Sequence, residues 1–179
     1  MNQVQQRIAA VATSRNRYLN IIRTITEQHA QWQPAPDVWN VVNITEHLFW
    51  AEQGALFGMW KTLYAKRNGN PISPTEAPHD GLSIEAIIEK TWQQKEIVPA
   101  VAAPRMGGTL AFWAASLAAL QGVLETLGAD MTDDDLTILA HPHPISGVLD
   151  FGQRIDFLRF HINRHIGQVE GLMQMMTDL

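Results

Sequence analysis

The 179-residue chain is expected to fold as an all-α four-helix bundle with an extra short helix, one domain spanning residues 1–179. Three observations lead there. Four long segments carry apolar residues at alternating steps of three and four, the repeat of a core-facing helix. No segment alternates apolar and polar residues as a half-buried strand would. The segments are separated by proline, glycine and polar clusters. With 46 % apolar and 17 % charged residues, a chain of this length can fill one core.

Val4, Ile8, Val11, Tyr18, Ile22 and Ile25 predict a first helix over residues 2–29, with Arg15 at one seam position. An arginine there either meets an anionic group inside the bundle or snorkels to the surface. Pro34 and Pro36 break the chain between Gln31 and Asp37. Asn40 is the expected N-cap of a second helix that runs to about Arg67, with Ile44, Leu48, Ala51, Ala55 and Met59 on one face. Asn68-Gly69-Asn70-Pro71 stops it, and the proline-rich stretch to Gly81 is too long for a tight connection. Ser83 caps a shorter expected helix, Ile84 to Ile97, which Pro99 ends. After a break at Pro104 to Gly108, Thr109 caps Leu110 to Leu127, whose seam is Leu110, Trp113, Leu117, Leu120, Leu124 and Leu127. Asp133 to Leu139 is expected to make one or two turns. His141-Pro142-His143-Pro144 cannot be helical throughout, because proline disfavours helical geometry in the residue before it. Asp150 with Gln153 resembles a capping box for the last helix, whose seam is Phe151, Ile155, Leu158, Ile162, His165, Val169, Leu172 and Met176.

The net charge of −5, with Lys66-Arg67 the only adjacent basic pair, argues against a nucleic-acid partner. No run of about 18 apolar residues occurs, so no membrane span is expected. MNQVQQRIAA lacks the basic start and apolar stretch of a secretory signal, and the expected location is cytoplasmic. The absence of cysteine excludes disulfides, thiolate metal ligands and a cysteine nucleophile of the chain itself. A metal must then be held by imidazole, carboxylate, amide or water, and thiol chemistry would need a small molecule to bring the thiol.

Histidines are the chemistry-bearing residues. His161 and His165 lie four apart in the last helix and share one face, with His165 on the seam. Two imidazoles pointing into a core need partners, and a divalent metal is one that satisfies both. His47 lies among Ile44, Leu48 and Ala51 of the second helix, flanked by Phe49 and Trp50, and supplies a third imidazole. Three protein nitrogens with open positions is how catalytic zinc sites are built, although nickel, iron, cobalt and manganese accept the same donors. The pattern alone equally allows histidines satisfied by backbone and carboxylates in a metal-free core. His29 sits at a helix end, His79 in a loop where solvation is expected, and His141 and His143 in a loop expected to be exposed or at a pocket mouth. Gln168 is placed to orient a ligand or to flank the site as an ordinary polar residue. Glu46 adjoins His47 but points to another side of the helix, so it is not taken as a ligand. Glu-x-x-His and HExxH are both absent, which disfavours a carboxylate-bridged di-iron bundle and a zinc protease.

Two blocks resemble the DinB/YfiT-like superfamily of metal-binding four-helix bundles. One is Trp39-Asn40-Val41-Val42-Asn43-Ile44-Thr45-Glu46-His47-Leu48. The other is His141-Pro142 through Gly147, followed by Phe157-Leu158-Arg159-Phe160-His161-Ile162-Asn163-Arg164-His165-Ile166-Gly167-Gln168-Val169. The resemblance implies a divalent-metal triad at His47, His161 and His165, an up-down-down-up bundle and a homodimer. It also implies a small-molecule substrate, with hydrolysis or small-thiol-dependent transfer as the reaction. The metal is expected to be Zn, Ni or Fe, and a low-molecular-weight thiol is a candidate cofactor. The alternative is a non-catalytic bundle that binds a ligand or a metal.

Overall fold

Four long helices carry the architecture of the computed structural model, which describes residues 1–92 and 97–177. They are α1 (Gln3–Ile22), α3 (Val41–Arg67), α5 (Leu110–Ala129) and α6 (Phe151–Thr177). The one-turn α2 (Glu27–Ala30), the short α4 (Ile84–Thr91) and a 3-10 turn (Asp133–Thr137) lie in the connections. No strand occurs among the described residues; two isolated bridges, Leu139 with Asp150 and His143 with Gly147, pin the approach to α6.

Cross-helix contacts give the direction of each helix. Tyr18 and Arg15 of α1 meet Thr45 and Glu52 of α3 in reverse order, so these helices are antiparallel. Arg15 also meets Gln121 of α5, and Ile8 lies against Gly128, again in reverse order. Arg7 and Arg17 meet Asp156 and Glu170 of α6 in the same order, so α1 and α6 are parallel. The bundle is therefore up-down-down-up. Two helices pointing the same way cannot be joined by a hairpin, which is why residues 68–109 form a long crossover between α3 and α5.

Local chemistry explains most boundaries. Asn2 with Gln5, and Asn40 with Asn43, form reciprocal caps at the starts of α1 and α3. Ser83 and Thr109 accept from the backbone of α4 and α5, and Asp150 with Gln153 caps α6 reciprocally. Each such cap satisfies N–H groups that have no partner inside the helix.

Two expected helices differ. The first ends at Ile22 and restarts at Glu27 instead of running to residue 29. The Thr24 hydroxyl bonds back to Ile21 O at 2.8 Å, while Thr26 turns extended and caps α2 through His29 N. Threonine hydroxyls thus compete with the helix ladder, and Glu27 is freed to accept from Leu110 N at the start of α5. The fourth helix ends at Thr91, with Trp92 extended; residues 93–96 of the expected span lie outside the described residues.

The core is one apolar cluster fed by all four long helices, including Val11, Tyr18, Leu48, Met59, Leu117 and Ile162. A satellite cluster of Ile84, Ile87, Ile88, Leu149 and Phe157 packs α4 onto α6. By length and composition α5 also suffices to cross a membrane, since only Glu125 interrupts its charge-free run. Its Leu110, Trp113, Leu117, Leu120, Leu124 and Leu127 are buried in the bundle.

Arg15 does not snorkel. It is 1 % exposed and pairs with the equally buried Glu52 of α3, with Gln121 of α5 as a further acceptor. The anionic group it meets therefore belongs to the chain. Coulombic attraction to Arg15 offsets part of the burial cost, yet burial still leaves the Glu52 carboxyl above its ordinary pKa.

Candidate metal centre

His47 lies two turns into α3, and His161 and His165 lie one turn apart on α6. Because these helices run antiparallel against each other, the three rings meet inside the bundle. His161 Nε2 is 3.1 Å from His47 Nε2 and 3.0 Å from His165 Nε2. One nitrogen from each ring falls within 4.8 Å of the others, and each residue is at most 5 % exposed.

The outward nitrogens decide what the inward ones offer. His47 Nδ1 donates to the Ala102 carbonyl at 2.8 Å, and His165 Nδ1 donates to Gln168 Oε1 at 2.7 Å. Each bond assigns the proton to Nδ1 and leaves a lone pair on Nε2. His161 has no hydrogen bond at Nδ1; its ring is set by stacking on Phe157, with centroids 5.4 Å apart, and by the edge of Trp92. Burial lowers all three pKa values, His165 to about 3 and His161 well below the ordinary value, so the rings are neutral.

This donor set fits a cation. Two Nε2 lone pairs face His161 Nε2, and a neutral His161 can present at most one hydrogen there. Were it to do so, both its neighbours would have to share that hydrogen. A divalent ion would instead accept one lone pair from each ring, and no fourth histidine or carboxylate joins the group among the described residues.

The triad opens on a cavity of about 1160 Å³. Trp39, Trp50, Trp92 and Phe157 give it aromatic walls, and Arg105, Arg154 and Arg164 line it with positive charge. The segment Val98 to Arg105 closes one side. Glu46 holds that segment in place: its carboxylate accepts from Arg105 N and Met106 N at 2.8 Å, Gly107 N at 3.0 Å and Trp50 Nε1 at 3.1 Å. Burial raises its pKa, but these four donors outweigh that and hold it below the usual range. Glu46 is thus a loop clamp and does not join the histidine group.

The other histidines are placed as follows. His29 is exposed on the last turn of α2. His79 is not simply solvated: its Nε2 donates to Ser146 O at 2.7 Å, and its carbonyl accepts from Gln153 Nε2. His143 is half-buried, packed on Phe157 and Trp92, with Nδ1 accepting from Ile145 N and Ser146 N. His141 is exposed in part, and its ring lies over Gly58 of α3, where any side chain would collide with it. Both His141 and His143 line the cavity. Arg154, also on its wall, did not stand out in the sequence, although its seven-residue offset from His161 puts both on one face of α6.

The sequence matches the family model of the DinB superfamily over residues 10–169. No curated protein matches it. Among solved structures, the chain is similar to YfiT from Bacillus subtilis, described as a probable metal-dependent hydrolase with an unusual four-helix bundle topology. That likeness has a TM-score of 0.64 at 15 % identity and covers 97 % of this chain and 87 % of YfiT. A conserved protein from Enterococcus faecalis is similar at a TM-score of 0.56 and 14 % identity, covering 96 % of this chain and 95 % of the other.

Proposed function

The chain belongs to the DinB superfamily, and on that footing we propose that it is a metal-dependent enzyme acting on a small molecule by hydrolysis or small-thiol-dependent transfer. His47, His161 and His165 are the ligands in this reading, and a homodimer is the expected assembly. The observation that carries it is the meeting of three neutral imidazole nitrogens at the floor of an open cavity. YfiT's description as a probable metal-dependent hydrolase favours water over a thiol as the nucleophile.

When bound, a divalent cation in such a site lowers the pKa of a water or thiol and polarises a carbonyl. The chain's own residues prepare for this. Neutral ligands leave the ion's charge undiminished, the bonds to Ala102 O and Gln168 Oε1 fix two rings in the ligating tautomer, and the aromatic walls offer a substrate an apolar surface to pack on.

A second reading, a non-catalytic binding protein, is favoured by one observation. Among the described residues the exposed Asp37 is the only carboxylate lining the cavity, so none of them stands ready there as a buried general base. Elemental analysis of tag-free protein should find one divalent ion per chain, and His165→Ala should lose it. Retained metal in that variant would refute the triad. Turnover of esters, amides or thiol conjugates by the wild type but not the variant would exclude the second reading.

A further inference from the structure

Arg154 is 2 % exposed and lines the cavity, yet no carboxylate pairs with it among the described residues. Its hydrogen bonds come from Nη2 alone, to His141 O at 2.7 Å and towards His141 Nε2 at 3.2 Å, and its Nε has no partner. A buried guanidinium without a counter-ion is costly, and a structure tolerates one where a ligand supplies the missing charge. Burial indeed pushes its pKa down to about 10, and no anion among the described residues restores it.

The surroundings define the rest of that ligand. Seven residues separate Arg154 from His161 on one face of α6, about 10 Å along the helix. Phe157 stands between them, and Trp92 packs against both Phe157 and His161, so an apolar panel joins the two polar ends. Arg105, another lining residue, lies over the ring of Trp50, so a second guanidinium faces the same cavity in a chain of net charge −5.

We propose that Arg154 is an anion subsite and that the cavity takes an amphipathic monocarboxylate, its carboxylate on Arg154 and its opposite end at the three histidines. One buried guanidinium is balanced by one negative charge, which a carboxylate supplies. The proposal builds on the cavity being the substrate site proposed above, but it does not depend on a metal being bound.

Calorimetric titration of 4-phenylbutyrate and its neutral amide tests it, with the protein both as purified and stripped by chelator. The acid should bind about tenfold more tightly than the amide in both preparations, as one charge-assisted pair gives. Arg154→Gln should abolish that preference, and Arg154→Lys should keep most of it. Equal affinity for acid and amide in the wild type, or an intact preference in Arg154→Gln, would overturn the subsite. A stripped protein that keeps the preference sustains it even where metal analysis refutes the triad. Should Arg154→Gln not fold, a crystal soaked with the para-bromo acid decides by anomalous scattering. Bromine at the histidine end supports the assignment, and bromine beside Arg154 overturns it.

Discussion

Glu46 and His47 are consecutive residues of α3, and both fasten the same stretch of chain. The Glu46 carboxylate accepts the N–H groups of Arg105, Met106 and Gly107, while His47 Nδ1 donates to the carbonyl of Ala102 three residues earlier. One turn of helix therefore positions both a candidate ligand and the loop that orients it. A change in the clamp should be felt at the triad.

Glu46→Gln tests this coupling. The amide turns one acceptor into a donor facing N–H groups, so at least one part-buried backbone donor loses its partner. The expected cost is about 2 kcal/mol in urea unfolding, together with faster hydrogen exchange at residues 105–107. If stability and exchange match the wild type, the carboxylate does not hold the loop.

Gln168 is exposed, but its Oε1 fixes the His165 tautomer. Gln168→Leu should leave unfolding stability within about 0.5 kcal/mol, as exposed substitutions do. Affinity for zinc, measured by chelator competition, should fall by about tenfold or more. Unchanged affinity would mean that packing alone orients the ring.

The Arg15–Glu52 pair lies in the core, away from the cavity. Arg15→Met or Glu52→Leu alone should each cost about 3–5 kcal/mol, because each strands a buried charge. The double variant should recover most of that loss. Additive losses in urea midpoints would show that the two charges do not compensate each other.

Burial depresses His165 and His143 to about 3. The unfolded chain takes up protons at these positions below about pH 6.5, and the native state does not. Metal-free protein should therefore keep full stability above about pH 6.5 and lose it as the pH falls towards 3. Each such histidine contributes a slope of about 1.4 kcal/mol per pH unit. Urea midpoints that stay level from pH 7 to pH 5 would contradict buried neutral imidazoles.

Most of the fold was legible in the chain because its signals are local. Asn40, Ser83, Thr109 and Asp150 cap their helices by bonding to groups three residues away, and seam residues repeat within a turn. The restart at Glu27 was not legible: Thr26 carries the cap, but whether the helix runs through depends on Glu27 reaching Leu110, 83 residues on. Arg15 left two outcomes open for the same reason, since its partner sits on another helix.

The sequence by itself determined four amphipathic helices, their caps and a His161–His165 pair sharing one face, all consequences of 3.6-residue geometry. Only the tertiary structure decided that His47 meets this pair, that Ala102 and Gln168 orient two of the rings, and that Arg154 is buried on the cavity wall without a counter-ion. Those relationships depend on the antiparallel register of α3 against α6 and on the path of the crossover. Periodicity tells which face of a helix is buried; it does not tell which residue of another helix that face will meet.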